Sequence, residues 1–168
     1  NHFSSPIKVL DAGTGSGCIG ISIALKNTSS QVYGSDYSDD ALNVAHTNKN
    51  NLNVENFSLI CADWLSCFKA ESFDLIVSNP PYIADQDSHL EGLKHEPNKA
   101  LIAKDNGLGD IKLIVKQSTE VLKRGGMLML EHGYQQQEKV ENIFKRNHFS
   151  NIVNLRDFQN LPRITLGA

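Results

Sequence analysis

Short apolar runs with the length of β-strands alternate along this chain with segments that have the period of amphipathic helices. Five strand-like runs occur at residues 7–11, 31–35, 57–61, 73–77 and 127–130. Such alternation implies right-handed crossover connections and a mostly parallel sheet. Two last runs, 152–155 and 164–166, have no helical pattern between them, so we expect them to pair antiparallel. The prediction is an α/β fold with a seven-stranded, mostly parallel sheet, an antiparallel C-terminal strand and helices on both faces.

Length and charge set further limits on the class of protein. The 168 residues, 40% of them hydrophobic, correspond to one domain, which we expect to span residues 1–168. A net charge of −3 argues against a protein whose main task is to grip a phosphate backbone, so no direct nucleic-acid partner is expected. No apolar run is long enough to cross a membrane, so no membrane association is expected. A monomer is the default expectation.

The chain contains three cysteines, Cys18, Cys61 and Cys67. An odd number without the spacing of a disulfide framework predicts free thiols in a reducing compartment, and hence a cytoplasmic location. We expect all three side chains to be buried as small apolar groups.

A glycine-rich loop follows the first predicted strand and opens the first predicted helix. Its residues are Gly13, Thr14, Gly15, Ser16 and Gly17. Glycines let the backbone turn tightly and approach a ligand closely, and the start of the helix presents free N–H groups. The pattern G-x-G-x-x-G also begins at Gly15, so a dinucleotide-binding fold is a competing interpretation. We predict that this loop binds a cofactor.

Acidic and aromatic residues follow the second and third predicted strands. Asp36 can accept hydrogen bonds from both hydroxyls of an adenosine ribose, which is expected for a nicotinamide cofactor and for S-adenosylmethionine alike. Tyr37 either packs on the adenine or belongs to the core. Asp63 can accept from the adenine amino group, and Trp64 either covers the nucleoside or fills the core. Because parallel strands end at one edge of a sheet, we expect the residues that follow the first four predicted strands, 11–17, 36, 63–64 and 79–82, to gather there.

The segment Asn79-Pro80-Pro81-Tyr82 follows the fourth predicted strand and is the most specific chemical signal in the chain. Two fixed acceptors, the Asn79 side-chain oxygen and the Pro80 carbonyl, can hold both N–H groups of a planar amino group. The prolines restrict the backbone and offer no competing N–H donor, and Tyr82 can stack on a flat substrate. The segment predicts methylation of a planar nitrogen, because the held lone pair can be aimed at an electrophilic methyl group.

Several motifs together resemble a known family. The run 9–19 resembles the first motif of class I methyltransferases that use S-adenosylmethionine. With Asn79-Pro80-Pro81-Tyr82-Ile83, the chain is similar to the HemK/PrmC family, which methylates a glutamine side chain in peptide chain release factors. Further matches lie at residues 63–64, 96–97 with 100–101, 105–108, 125–134 and 162–167, so the resemblance covers essentially the whole chain.

The resemblance implies a Rossmann-like class I methyltransferase fold. The implied reaction transfers a methyl group from S-adenosyl-L-methionine to the N5 atom of a glutamine and leaves S-adenosyl-L-homocysteine. Class 1 peptide chain release factors are the implied partners. Members of the family also carry an N-terminal helical substrate-docking domain, which we expect this fragment to lack.

The resemblance also implies roles for individual residues. Residues 13–17 would hold the amino-acid part of the cofactor, Asp36 its ribose and Trp64 its adenosine end. Asn79 would contact both the cofactor and the glutamine. The glutamine pocket would be completed by Pro80, Pro81 and Tyr82.

Several alternatives stay open. Amino-methyltransferases of DNA and RNA share the Asn-Pro-Pro-Tyr motif, and a glutamine of another protein, such as a ribosomal protein, could be the target. A nicotinamide-dependent oxidoreductase would explain G-x-G-x-x-G but leaves residues 79–82 unexplained. A non-catalytic module of the same fold could bind a release factor. Residues 83–106 show no period and are predicted to form a functional loop, and their histidines lack the spacing of a metal site.

Overall fold

The computed structural model describes residues 6–82 and 107–168. Within these residues the strands are β1 (Lys8–Ala12), β2 (Gln31–Asp36), β3 (Phe57–Cys61), β4 (Phe73–Ser78), β5 (Leu122–Glu131), β6 (Val153–Arg156) and β7 (Pro162–Gly167). The helices are α1 (Cys18–Lys26), α2 (Asp39–Asn51), α3 (Gly109–Val121) and α4 (Gln137–Arg146). The predicted functional loop at 83–106 lies outside the described residues.

Hydrogen bonds join the strands into one seven-stranded sheet with the order β3-β2-β1-β4-β5-β7-β6. Strand β1 lies parallel to both β2 and β4, with Leu10 opposite Tyr33 on one side and Ile76 on the other. Strand β3 is parallel to β2, whereas β6 and β7 are antiparallel. The predicted architecture, a mostly parallel sheet that ends in an antiparallel strand, is confirmed.

The residues group into two compact units. The first contains the described residues up to Ser78 together with Gln117–Met129. The second contains the described residues from Asn79 to Lys116 together with Leu130–Ala168. Strands β1 to β4 therefore belong to the first unit, and β6, β7 and α4 belong to the second. The interpretation of residues 1–168 as one methyltransferase domain stays a prediction.

The core of the first unit consists of apolar side chains from the parallel strands and from helix α1. Val9, Val32 and Phe57 have almost no exposed surface, and Ile21 and Ala24 of α1 are buried with them. Full burial of a large aliphatic or aromatic side chain contributes roughly 1.5–3 kcal/mol. This packing fixes the ends of β1 and β2, from which the predicted cofactor-binding residues extend.

The core of the second unit is built around helix α4. Its buried side chains are Val140, Ile143 and Phe144, which share one face of the helix because of their spacing. The ring centroids of Phe144 and Phe149 lie 5.1 Å apart. The periodic spacing of these apolar residues accounts for the helix.

Strand β5 begins at Leu122, whereas the sequence predicts a strand only from Met127. Gly125 adopts a φ of +75° within the strand segment and does not end helix α3. Glycine favours the left-handed region both at helix ends and at irregular positions of a strand, so the local pattern could not separate the two.

The expectation of buried cysteines is wrong, because all three are exposed free thiols. Cys18 is the first residue of α1 and Cys61 is the last residue of β3. Among the described residues, no helix has the length and apolar character that a bilayer span requires.

Candidate active site

The glycine-rich loop connects β1 to α1 within the first unit. The backbone N–H groups of Gly13 and Thr14 both donate to the Ser35 carbonyl of β2, at 2.8 and 2.9 Å. The side-chain amide of Asn48 in α2 donates to the Ser16 carbonyl at 2.9 Å. The loop is therefore fixed by β2 on one side and by α2 on the other.

Asp11 of β1 holds the same loop from the interior, with only 1% of its surface exposed. Its Oδ2 atom accepts hydrogen bonds from the Thr14 hydroxyl at 2.6 Å and from the Gly20 N–H at 2.8 Å. Its Oδ1 atom is buried and has no hydrogen-bond partner within the described part of the chain. Burial raises the pKa of the Asp11 carboxyl to about 6; the bonds from Thr14 and Gly20 oppose this, and the nearby Asp36 adds to it.

Asp11 also supplies the cap that helix α1 lacks. The residue before the helix is Gly17, which has a φ of +82° and no side chain to accept a backbone hydrogen bond. The Gly20 N–H, one of the free donors of the first turn, is satisfied by the Asp11 carboxylate instead. No role for Asp11 was predicted from the sequence, although a carboxylate at the end of an apolar strand was a usable signal.

Thr14 and Ser16 of the predicted cofactor-binding loop differ in the accessibility of their side chains. The Thr14 side chain is buried and its hydroxyl is engaged by Asp11, so this side chain stabilises the loop. Ser16 is exposed, which leaves its side chain accessible to a ligand.

Asp36 lies at the end of β2, and each of its two carboxylate oxygens accepts a hydrogen bond from a backbone N–H group. Its Oδ2 atom accepts from the Gly15 N–H at 2.9 Å, and its Oδ1 atom accepts from the Ser38 N–H at 3.0 Å. Each oxygen retains a second lone pair for a further donor. The neighbouring Tyr37 is 64% exposed, which excludes the alternative that it belongs to the core.

Trp64 lies against Gly13. A Cβ atom at Gly13 would come within 2.7 Å of the Trp64 ring, and Gly13 adopts a φ of +72°, so only glycine satisfies both conditions. The Ser35 hydroxyl donates to the Trp64 carbonyl at 3.1 Å. Trp64 is half-buried and Asp63 is exposed. The glycine-rich loop, Asp36 and Trp64 thus gather within the first unit, as the shared sheet edge predicted.

The residues that follow β4 begin the second unit. Asn79 is exposed, Pro80 is buried, and Pro81 and Tyr82 are half-buried. Neither proline carries an N–H group, so positions 80 and 81 offer no backbone donor. The segment from 79 to 82 therefore presents mainly acceptors, which are its carbonyl groups and the Asn79 side-chain oxygen. The exposed Asn79 side chain is accessible to a substrate.

Tyr82 is held at two points by residues that lie far away in the sequence. Its hydroxyl donates to Glu131 Oε1 at 3.2 Å, and its carbonyl accepts from Gln136 Nε2 at 3.0 Å. Gln136 was not predicted from the sequence, because nothing in the local pattern links it to a residue 54 positions earlier.

A buried polar network stabilises the strands next to these contacts. His132 is fully buried, and its Nε2 atom lies 3.0 Å from the Thr165 hydroxyl oxygen. The Thr165 hydroxyl donates to Asn154 Oδ1 at 2.7 Å, and Asn154 Nδ2 donates to Glu141 at 2.7 Å. Burial lowers the pKa of the His132 imidazole. Within the described residues, no cluster of three or more potential ligands is placed to hold a metal ion.

Curated proteins that are similar to this chain include methyltransferases that act on release factors. The chain is 38% identical to the release factor glutamine methyltransferase of Escherichia coli over 164 residues, which are 96% of this chain and 59% of that protein. This identity confirms the predicted resemblance of the sequence to release factor glutamine methyltransferases. The chain spans less than two thirds of the length of this relative.

Solved methyltransferase structures share the fold. The ribosomal protein L11 methylase of Lactobacillus delbrueckii subsp. bulgaricus matches with a TM-score of 0.73 and 22% identity, over 99% of this chain and 71% of that chain. A coclaurine N-methyltransferase bound to N-methylheliamine and SAH matches with a TM-score of 0.54 and 20% identity, over 78% of this chain and 32% of that chain. At these identities the likeness establishes the architecture, which is that of class I methyltransferases.

The methyltransferase domain family matches residues 3–161. This match extends from the residues before β1 to those before β7, and it includes both the glycine-rich loop and the segment from 79 to 82. The chain therefore belongs to the methyltransferase domain family.

Proposed function

We propose that this chain transfers a methyl group from S-adenosyl-L-methionine to the side-chain amide nitrogen N5 of a glutamine in class 1 peptide chain release factors. One observation carries the proposal. The Ser78 hydroxyl at the end of β4 donates to the Ala12 carbonyl at the end of β1, at 2.7 Å. Asn79 follows Ser78 and Gly13 follows Ala12. The acceptor-binding segment 79–82 and the glycine-rich loop 13–17 therefore start from two strands that are joined by a hydrogen bond.

The residues around the glycine-rich loop fit an adenosine-bearing cofactor. Trp64 packs against Gly13 but is only half-buried, so part of its surface stays accessible, and each Asp36 oxygen has a lone pair left for a ribose hydroxyl. We assign the ribose to Asp36, the amino-acid part of the cofactor to residues 13–17, and the adenosine end to Tyr37, Asp63 and Trp64. The SAH bound to the coclaurine N-methyltransferase, which shares the fold, supports this class of cofactor.

When bound, S-adenosyl-L-methionine supplies a methyl group attached to positively charged sulfur. The protein's own task is to orient a poor nucleophile, since the lone pair of an amide nitrogen is delocalised. The Asn79 side-chain oxygen and the Pro80 carbonyl accept the two N–H groups of the glutamine amide, and Tyr82 stacks on its plane.

These acceptors also favour the charge that develops during the reaction. Positive charge grows on the attacked nitrogen, and the dipoles of the two acceptor oxygens stabilise it, while the prolines restrict the backbone that carries these acceptors. The nitrogen releases a proton to solvent water only after it has gained this charge, so no strong base is required before the attack. No general base is assigned among residues 79–82.

The substrate class follows from the relatives. The release factor glutamine methyltransferase of Escherichia coli is 38% identical to this chain over 96% of it. The Asn-Pro-Pro-Tyr segment fits the family that the sequence resembles. Release factors act on ribosomes, so the proposal also places the protein in the cytoplasm.

The test offers the full-length protein three acceptors in parallel with radiolabelled S-adenosyl-L-methionine: a class 1 release factor, duplex DNA and RNA. We expect label on one glutamine of the release factor. A release factor with that glutamine replaced by glutamate serves as the control and takes up no label. Label on nucleic acid alone would overturn the substrate class. Binding of NAD without binding of S-adenosyl-L-methionine, measured by calorimetry, would overturn the cofactor.

A further inference from the structure

We propose that Gln136 is a positioning residue that sets the place of the acceptor-binding segment 79–82 through the main chain of Tyr82. The inference rests on the proposed function of that segment. Gln136 stands directly before helix α4, at the position where short polar side chains normally cap the helix. Its side chain makes no capping hydrogen bond, so it is used elsewhere.

The side chain of Gln136 joins two chain segments. Its Oε1 atom accepts from the Gly133 N–H at 2.9 Å, and its Nε2 atom donates to the Tyr82 carbonyl at 3.0 Å. A carboxamide is suited to this position because it carries an acceptor and a donor side by side. The Gly133 bond fixes which side of the amide faces Tyr82, because only the oxygen can accept from a backbone N–H.

The backbone around the Tyr82 carbonyl is packed too closely to shift freely. Gly107 has a φ of +81°, and a Cβ atom there would overlap the Tyr82 carbonyl oxygen and come within 2.7 Å of Gln136 Nε2. The Gly107 carbonyl also lies 3.5 Å from Gln136 Nε2. Three segments of the second unit therefore meet at one side chain.

Fixing the Tyr82 carbonyl also fixes the proposed acceptors. The Tyr82 ring is held at its other end by the hydrogen bond to Glu131, so ring and main chain are set independently. The two prolines before Tyr82 have restricted φ angles, so a displacement of Tyr82 is passed back to the Pro80 carbonyl. Misplacing a reacting group by about 1 Å can cost about 100-fold in rate.

The test compares Gln136→Glu with Gln135→Glu in the full-length protein. In Gln136→Glu, the introduced carboxylate keeps an oxygen for the Gly133 N–H but turns its second oxygen toward the Tyr82 carbonyl, which removes the donor and adds repulsion. Gln135 is the adjacent residue and is exposed, so it receives the same change of charge. We expect Gln136→Glu to lower kcat for release factor methylation by about 10- to 100-fold while the Kd for S-adenosyl-L-methionine stays unchanged. Gln135→Glu leaves both values at those of the wild type.

A second readout does not depend on methylation. Hydrogen exchange of the Asn79 and Tyr82 backbone amides should become faster in Gln136→Glu and stay unchanged in Gln135→Glu. Gln136→Met, which is similar in size and uncharged, replaces Gln136→Glu in both measurements if the glutamate variant has a lower Tm than the control.

The outcomes separate the two proposals. If the wild type does not methylate a release factor, the proposed function fails, and the exchange rates alone then decide the role of Gln136. Unchanged exchange at residues 79 and 82 overturns the positioning role, and so does a wild-type kcat in an otherwise active enzyme. A loss of kcat accompanied by an equal loss of cofactor binding also overturns it, because it indicates a general structural effect.

Discussion

The Asp36 carboxylate accepts a hydrogen bond from the backbone N–H of Gly15 at 2.9 Å, so the end of β2 holds the middle of the glycine-rich loop. The second oxygen of the same carboxylate accepts from the Ser38 N–H at 3.0 Å, at the start of α2. The group proposed to bind the ribose is thus oriented by the backbone before a ligand is bound. Such preorganisation lowers the entropic cost of binding.

Replacing Asp36 with Asn should weaken cofactor binding. The Asn side chain must turn its NH2 group toward one of the two backbone N–H donors, which breaks that contact and disturbs the loop. A hydrogen bond to a charged group contributes about 1.5–3 kcal/mol, so we expect the Kd for S-adenosyl-L-methionine to rise about 10- to 100-fold. Isothermal calorimetry measures this. Asp40→Asn, an equal change of charge at an exposed position of α2, is the control and keeps the wild-type Kd.

The contact between Gly13 and Trp64 predicts a loss of stability in Gly13→Ala that has two separable parts. Gly125 has nearly the same backbone angle, with a φ of +75° against +72°, but no atom lies within 4 Å of a Cβ built there. Gly125→Ala therefore reports the backbone strain alone, about 1–2 kcal/mol of unfolding free energy. Gly13→Ala should lose about 1–3 kcal/mol more, because the Trp64 ring must move.

Urea unfolding of both glycine variants gives the two free energies. Trp64 is the only tryptophan among the 168 residues, so its fluorescence in this chain also reports the displacement directly. Equal losses of stability in the two variants, with unchanged fluorescence, would contradict the packing of Trp64 on Gly13.

Much of this fold was predictable because it depends on local patterns. Strand β3 was predicted with its observed bounds, Phe57 to Cys61, since polar Asn56 precedes the run and Asp63 closely follows it. Serine is a typical residue at the start of a helix, and the Ser38 side chain accepts a hydrogen bond from the Ala41 N–H at the start of α2. The association of Asp36 and Trp64 with the glycine-rich loop followed from a general property of parallel sheets.

The remaining features depend on contacts between distant residues. The early start of β5 at Leu122 was hidden by two glycines that are equally typical of the end of a helix. The role of Gln136 depends on Tyr82, which no spacing rule connects to it. The orphaned Oδ1 atom of Asp11 follows from burial by the surrounding core, which a carboxylate in a sequence does not reveal.

Replacing Asn79 with Ala should abolish most of the methyl transfer without unfolding the protein. Asn79 is exposed, so the truncation removes an acceptor for the substrate amide and little packing. Loss of one preorganised polar group that acts on the transition state costs about 100- to 1000-fold in kcat. Single-turnover methylation of a release factor measures the loss, and circular dichroism checks the fold. Asn50→Ala, at an exposed position of α2, keeps the wild-type rate; equal rates in both variants would refute the role of Asn79.

The buried carboxyl of Asp11 predicts a pH dependence of stability with a defined sign. Its pKa is about 6 in the folded protein and 3.8 in the ordinary, unfolded state. Between these values the folded state binds more protons than the unfolded state, so this group makes the protein less stable as pH rises from about 4 to about 6. A difference of roughly two pKa units corresponds to about 3 kcal/mol.

Asp11→Asn removes the titration and leaves the rest of the chain unchanged. We expect its free energy of unfolding, relative to that of the wild type, to rise by about 2–3 kcal/mol between pH 4 and pH 8. Urea unfolding at several pH values measures the difference, in which the titration of other groups cancels.

In Thr14→Val, the loss of the hydroxyl bond to Asp11 should move the pH range over which stability falls to higher pH, because that bond lowers the pKa of Asp11. A difference between Asp11→Asn and wild type that does not change with pH would show that Asp11 titrates at its ordinary value, and that its carboxylate is not buried in the folded protein.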